Sequence, residues 1–160
     1  MKLTIHMIQD RLAAYDAQYR PGQDVDQSFA EVRLLSGKGE VLVPDTLYVC
    51  TAGQLRRAKL EGAERVAFVC VGGDGVEKRS ALRGAHVFAV TREGVCLAEL
   101  MNDLLDLFHR LNDWERRLEE AILRGKSMQE LVDLSAPVFE NNFFLMWDAS
   151  YNVLAYTKGV

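Results

Sequence analysis

The chain has 160 residues, of which 49% are hydrophobic and 26% charged, so it holds enough apolar material for a folded core and wholesale disorder is excluded. Its formal net charge is −4, and residues 95–160 alone carry 6 Lys/Arg and 11 Asp/Glu, net −5. Because DNA affinity depends on cationic side chains that contact phosphates, we predict that this chain does not bind DNA. No apolar run approaches the roughly 20 residues of a membrane-spanning helix, so we expect no membrane association.

The first 94 residues predict a small α/β module. After Thr4, a candidate N-cap, apolar residues recur at helical spacing and predict a short helix. A polar loop follows at 20–28. Apolar runs then predict four strands, at 29–35, 46–50, 65–71 and 86–91. Between the second and third strands, Thr51 and Gln54 predict a capping box for a helix over 54–61. Continuous apolar strands alternating with a helix are typical of a small parallel or mixed sheet with flanking helices.

Residues 95–124 predict one long helix that ends before Gly125. Its apolar residues follow a heptad repeat over four heptads, in which only Glu115 is polar. The two core positions of the repeat hold Leu97, Met101, Leu104, Phe108, Leu111, Leu118 and Ile122. A module of 94 residues is not expected to cover so long an apolar stripe, so we predict a homodimer built on these side chains. A core helix packed on its own module remains an alternative.

The last segment predicts a helix and a β-hairpin. Ser127 and Glu130 form a capping box for a helix that runs to about residue 139. Strands at 143–147 and 153–157 flank a polar turn, and the first of them is apolar on both faces. An isolated two-stranded hairpin is marginally stable in water, so we expect this one to open a larger domain.

This last segment also resembles a known family. Residues 118–158, LEEAILRGKSMQELVDLSAPVFENNFFLMWDASYNVLAYTK, resemble part of the bacterial transcription regulators of the purine-catabolism regulator (PucR) and sugar-diacid regulator class. The resemblance lies in the amphipathic helix, Gly125, the Ser127 cap, the Leu-Val-Asp-Leu run and the two strands around the turn at 148–150. The layout of residues 1–94 is more loosely similar to the N-terminal module of that class.

The resemblance implies three segments: a sensory α/β module at 1–94, a linker and dimerisation helix at 95–125, and the truncated start of a GAF-like domain at 126–160. It also implies that a small effector binds the module and biases the helix. DNA contact would belong to a helix-turn-helix that these residues do not include. We therefore expect a sensory and dimerisation region of a cytoplasmic regulator, without enzymatic activity and without a cofactor.

Two segments that follow predicted strands are candidates for ligand binding. Thr51, Gly53, Arg56 and Arg57 combine a helix start with two cations, which predicts a site for an anionic effector. The turn Gly72–Gly75 is similar to the phosphate-binding GGDG loop of lipid and NAD kinases. It keeps open an alternative function, a fragment of a phosphate- or nucleotide-binding enzyme. A dimerisation module without any ligand is a third possibility.

The cysteines and histidines form no recognisable catalytic or metal-binding pattern. Cys50, Cys70 and Cys96 include no C-x-x-C pair, and the three histidines have no metal-ligand spacing, so no metal site is predicted. The odd number of cysteines and the lack of a signal peptide are typical of a reducing cytoplasm. A dyad between His86 and Cys50 or Cys70 stays open, because such pairs form in space.

Overall fold

The computed structural model describes residues 1–72, 82–139 and 143–158. The elements, in chain order, are β1 (Leu3–Thr4), α1 (Ile5–Leu12), β2 (Ala17–Arg20), β3 (Ser28–Phe29), β4 (Glu31–Leu34), β5 (Glu40–Val41), β6 (Thr46–Thr51), α2 (Ala52–Arg57), β7 (Leu60–Glu61), β8 (Ala67–Val71), β9 (His86–Val90), α3 (Leu97–Leu123), α4 (Met128–Ser135), β10 (Leu145–Trp147) and β11 (Val153–Tyr156). The predicted class, an α/β fold followed by a long helix, a helix and a hairpin, is confirmed.

The chain divides into two compact units that differ from the three predicted segments. One unit is Lys2–Phe108, and the other consists of Met1 with His109–Val160. The boundary therefore falls inside α3, which is one continuous helix of 27 residues. The first half of α3 is grouped with the α/β unit, and the three predicted segments stay a prediction.

A five-stranded mixed sheet forms the centre of the α/β unit, with strand order β2-β9-β8-β6-β4. Four of the strands are parallel and follow one another in chain order, while β2 pairs antiparallel with β9 at the edge. Helix α2, which connects β6 to β8, contacts both of these strands.

Both faces of the sheet are buried, which explains the continuous apolar runs of β6, β8 and β9. On the α2 face, Tyr48, Cys50, Phe68 and Cys70 pack in one cluster with Leu55. Alternate residues point to the opposite face, where α1 contacts β2 and β9. The side chains on that face, also fully or almost fully buried, are Leu47, Val49, Val69, His86, Phe88 and Val90.

Local signals place some element ends correctly and miss others. The Thr4 hydroxyl accepts the Met7 N–H and caps α1, and the predicted capping box at the start of α2 is present. The prediction that α2 extends to residue 61 is wrong, because Leu60–Glu61 leaves the helix to pair with β5. The loop predicted at 20–28 is preceded by β2, an edge strand that the sequence did not indicate.

The second unit contains the end of α3, α4 and the hairpin of β10 and β11. The Ser127 hydroxyl accepts the Glu130 N–H in the predicted capping box, and bonds from Lys126 and Ser127 hold the pKa of Glu130 at about 2. The Gln129 side chain bonds both backbone groups of Tyr156, with Nε2 2.8 Å from the carbonyl oxygen and Oε1 3.1 Å from the nitrogen. These two bonds fix β11 against α4.

Candidate functional site

The four residues predicted to bind an anionic effector lie together around the start of α2. The Thr51 hydroxyl accepts the Gln54 N–H at 3.2 Å, and the Gln54 Oε1 accepts the Thr51 N–H at 2.9 Å. Arg57 Nε donates to the Gly53 carbonyl at 3.0 Å, while the Arg56 side chain is exposed. Hydrogen bonds within the first turns of α2 thus occupy most of the polar groups of this segment. The effector site at Thr51, Gly53, Arg56 and Arg57 stays a prediction.

The second candidate segment is described only at its first residue. Gly72 follows β8 with a φ of 71°, and the rest of Gly72–Gly75 lies outside the described residues. The phosphate-binding alternative stays a prediction.

The cysteines and His86 lie on opposite faces of the sheet. Cys50 and Cys70 are register partners on β6 and β8 in the α2-face cluster, and a hydrogen bond with Cys70 together with burial raises the pKa of the Cys50 thiol. Val87 belongs to that cluster, and neighbouring residues of a strand point to opposite faces of the sheet. The His86 side chain therefore points away from the face that holds the cysteines. The Cys–His dyad that the sequence left open is therefore not formed. Among the described residues, no group of three or more His, Cys, Asp or Glu side chains could hold a metal ion.

The predicted dimer residues of α3 fall into two sets. Leu104, Phe108 and Leu111 are buried within a single chain, with at most 5% of their surface exposed. Their burial within one chain leaves little of these three side chains for contact with a partner, and the dimer interface stays a prediction. Leu97, Met101 and Leu118 are half-buried, whereas Ile122 is 61% exposed.

A network of partly buried hydrogen bonds lies at the amino ends of the parallel strands, and His86 is at its centre. The ring is fully buried at the first residue of β9. Its Nε2–H donates to the Asp24 carbonyl oxygen at 2.7 Å, and Nδ1 accepts the Gly22 N–H and the Tyr19 hydroxyl, each at 2.9 Å. Three partners thus fix one neutral tautomer, and burial lowers the pKa of the imidazole.

Gly22 lets the loop that follows β2 approach the start of β9. A Cβ at this position would lie 2.5 Å from the Gly84 carbonyl oxygen, a distance that no side chain tolerates. The neighbouring Gln23 N–H donates to the same oxygen at 2.8 Å. The loop is therefore held against β9 by its backbone as well as by His86.

Gln27 connects this loop to the amino end of β8. Only 8% of its surface is exposed, and its Nε2 donates to the Arg65 carbonyl oxygen at 2.6 Å. The same oxygen accepts the Asp45 N–H at 2.9 Å, which joins the residue before β6 to the network. Gln27 Oε1 is shielded from water and has no hydrogen-bond partner among the residues that the structure describes. Such an unpaired buried acceptor is rare in folded proteins and calls for a physical explanation.

Gln27 lines a cavity of about 290 Å³, which we call the amino-edge pocket. The residues around it are Gln23, Asp24, Gln27, Asp45, Glu64 and Arg65. An engineered cavity of about 150 Å³ binds benzene, so this volume is sufficient for a small organic molecule. Three carboxylates and one guanidinium give the lining a formal charge of −2, and Lys2 Nζ lies 3.0 Å from Asp45 Oδ2 at the surface. The pocket therefore offers mainly hydrogen-bond acceptors and negative charge.

Sequence reasoning missed this pocket, although it noted the polar loop. Asp24 and Gln27 come from the loop, while Asp45, Glu64 and Arg65 precede two different strands, and no motif relates them. The one available signal was that the amino ends of parallel strands meet at one edge of a sheet.

A scan against protein-family models, a search of curated proteins and a search of solved structures find no match for this chain. Within the described ranges, no helix combines the length and apolar character needed to cross a membrane.

Proposed function

We propose that this chain is the sensory and dimerisation region of a cytoplasmic transcription regulator of the PucR-like class. In this proposal the α/β unit binds a small effector, and α3 carries the response towards a DNA-binding domain outside these residues. The resemblance of residues 118–158 supports the class. The observation that carries the sensory role is that α3 begins inside the α/β unit and continues into the second unit as one helix.

The start of α3 is anchored to α1. Asp103 forms an ion pair with Arg11 and accepts the Tyr15 hydroxyl at 2.9 Å. Burial, reinforced by the hydrogen bond that the Tyr15 hydroxyl donates to Asp103, raises the pKa of Tyr15 to about 12, so this hydroxyl remains a donor at neutral pH. Leu100 and Leu104, on either side of Asp103, are fully or almost fully buried. A shift of α1 against β9 would therefore act directly on α3.

A ligand biases α3 only if it binds two arrangements of the unit with different affinity. Helix α1 contacts β2 and β9, and both of these strands lead into the loop network around His86. Ligand binding at the amino ends of the strands would thus change the packing of α1 and, through Asp103, of α3. The effector site and α3 are then linked by one coupling free energy: the effector shifts the arrangement of α3, and the arrangement of α3 changes the effector affinity by the same factor.

The proposed dimer uses the end of α3, because its middle is already covered. Ile122 and Leu123 are 61% and 87% exposed and lie four and five residues after half-buried Leu118. Burying an isoleucine stabilises an assembly by about 1.5–3 kcal/mol, and a two-fold interface contains each residue twice. Ile122→Asp should therefore weaken dimerisation by more than about tenfold.

Sedimentation equilibrium at micromolar concentrations tests the dimer. We expect wild type to be dimeric, Ile122→Asp to be mainly monomeric, and Asn102→Asp to behave as wild type, since Asn102 is an exposed residue elsewhere on the same helix. Leu104→Asp is unsuitable, because it would bury a charge and unfold the chain. A monomeric wild type, or an unchanged dimer constant in folded Ile122→Asp, would overturn the dimerisation part of the proposal.

A further inference from the structure

We propose that the outer edge of the five-stranded sheet, formed by residues 30–34, pairs antiparallel with the same edge of a second copy of this chain. We call this segment the β4 edge. The sheets of the two copies would then continue into each other across a two-fold axis. The inference goes beyond the proposed function, whose dimer uses the end of α3 in the other compact unit, and it does not depend on that dimer.

The β4 edge is open to a further strand. β4 is the last strand in the order β2-β9-β8-β6-β4, and in the part of the chain that the structure describes only β6 pairs with it. The Leu35 N–H, directly after β4, donates to the Val49 carbonyl oxygen of β6 at 3.0 Å. Because successive residues of a strand direct their backbone groups to opposite sides, the N–H and C=O groups of Val32 and Leu34 face away from β6. Such a row of outward backbone groups is a template for pairing with another chain.

The charged side chains of the β4 edge complement each other across a two-fold axis. Glu31 and Arg33 lie on the same face of β4, with 41% and 50% of their side chains exposed, and form an ion pair at 3.0 Å. In an antiparallel pairing centred on Val32, Glu31 lies opposite the partner's Arg33, and Arg33 lies opposite the partner's Glu31. The ion pair within the chain uses only Nη2 of Arg33, and a guanidinium carries further N–H donors on Nη1 and Nε. Opposite charges that face each other across two strands stabilise the pairing.

The same charges select one register. A shift by two residues in one direction would place Arg33 opposite the partner's Arg33, and a shift in the other direction would place Glu31 opposite the partner's Glu31. Like charges directly opposite each other destabilise a strand pair. A shift by one residue would place outward backbone groups opposite inward ones and remove the hydrogen bonds. The register centred on Val32 is therefore the one in which charges and backbone groups both match.

Apolar side chains lie on the other face of the β4 edge. Leu34 shares this face with its register partner Val49, which is fully buried, but 52% of the Leu34 surface is exposed. The pairing centred on Val32 places Leu34 beside the partner's Ala30, an exposed residue, and Val32 beside the partner's Val32. A second copy therefore covers apolar surface on one face of the edge and matches charge on the other.

The length of β4 sets the strength of this contact. Two strands of four residues bury far less than the roughly 1,200 Å² of a stable interface, so we expect weak association. At the micromolar concentrations that test the α3 dimer the contact adds little, whereas at higher concentration it joins dimers into larger assemblies. Short strands with charged side chains also serve to prevent association in other proteins. That alternative predicts no association through β4 at any concentration.

The test is sedimentation equilibrium of the whole chain with Ile122→Asp, from about 50 μM to 1 mM, so that the end of α3 does not contribute. We expect this parent chain to self-associate. Arg33→Glu and Glu31→Arg, each added alone, place like charges opposite each other twice and should weaken association by more than about tenfold. Arg117→Glu, an exposed charge reversal in the other unit, is the control and should associate as the parent does.

Mixing the two charge variants tests the register directly. An equimolar mixture of the Arg33→Glu and Glu31→Arg chains should associate as the parent does, because each chain then meets the opposite charge on its partner. Circular dichroism verifies that each variant folds. Glu31 accepts the Thr46 hydroxyl at 3.2 Å, so if Glu31→Arg does not fold, Val32→Pro replaces it. Proline removes the outward N–H at position 32, is tolerated on edge strands, and should abolish the association.

Three results would overturn the inference: a parent chain that stays monomeric at about 1 mM, an Arg33→Glu chain that associates as the parent does, or an equimolar mixture that stays monomeric. The first removes the contact, the second removes the charge pairing, and the third removes the register. These failures are distinct from failure of the proposed function. If wild type does not dimerise through α3, the same substitutions in the wild-type chain still test the β4 edge.

Discussion

His86 allows a quantitative test of the hydrogen-bond network at the amino ends of the strands. Its ring is fully buried, and Nδ1 serves as an acceptor for both the Gly22 N–H and the Tyr19 hydroxyl. Protonation would place a hydrogen on Nδ1, opposite the Gly22 N–H. The folded chain therefore disfavours the imidazolium, in agreement with the lowered pKa.

The sign of the pH dependence follows from this lowered pKa. In the unfolded chain His86 takes up a proton near its ordinary pKa of about 6.5, whereas in the folded chain it does so only at lower pH. The contribution of His86 to stability is therefore complete above about pH 6.5 and is lost as the pH falls from there through the folded pKa. For one proton the slope cannot exceed about 1.4 kcal/mol per pH unit.

Replacement of His86 by leucine gives a second, independent estimate of how much His86 contributes to the free energy of unfolding. It leaves the Gly22 N–H without its acceptor, while the Asp24 carbonyl oxygen keeps the hydrogen bond from the Gln27 N–H, and one unsatisfied buried group costs about 1–3 kcal/mol. We expect His86→Leu to destabilise the fold by about 1–3 kcal/mol at neutral pH and to remove the part of the pH slope that His86 causes.

Urea unfolding between about pH 5.5 and 8 measures both effects, since most carboxylates stay ionised in this range. Exposed His109→Gln is the control variant and should leave the stability at neutral pH unchanged. Titration of the His86 ring signals by NMR checks the cause without any variant. The reasoning fails if folded His86 takes up its proton above its ordinary pKa of about 6.5, or if wild type and a folded His86→Leu chain show the same slope.

Two further predictions test the backbone and the anchor of α3. Gly22→Ala should destabilise the chain by about 1–3 kcal/mol in urea unfolding, because its Cβ overlaps backbone atoms. The control is Gly39→Ala, whose Cβ meets only a side-chain atom at 3.9 Å and which should change the stability by less than about 0.5 kcal/mol. Equal effects of the two substitutions would contradict the close approach at Gly22. Asp103→Asn should lower the pKa of Tyr15 below its wild-type value of about 12 in an ultraviolet absorbance titration, and an unchanged pKa would show that the Asp103 contact is unimportant.

The parts of the fold that follow from local chemistry were predictable. Thr4 and Ser127 accept the backbone N–H groups expected of N-caps, and the apolar runs of β6 and β8 form buried parallel strands. The end of α2 was not predictable, because pairing with β5 overrides helix propensity at Leu60–Glu61.

The candidate site was much harder to predict than the fold. Its residues are ordinary polar side chains in loops, and their significance comes from burial and from partners distant in sequence. The dimer prediction shows the same limit on α3: periodicity identified an apolar stripe but could not show that the chain itself covers Leu104 and Leu111.

The strand order also has a consequence for how the chain folds. Within the five-stranded sheet, β6, β8 and β9 each pair with the parallel strand that precedes them in the sequence, so most of the sheet can form stepwise through short loop closures. Only β2 must wait, because its partner β9 lies at the far end of the unit. The contacts of Gly22 and His86 also form only when β2 pairs with β9, since they join both ends of the unit. We expect them to form after the parallel strands and to have the lowest φ-values in folding kinetics.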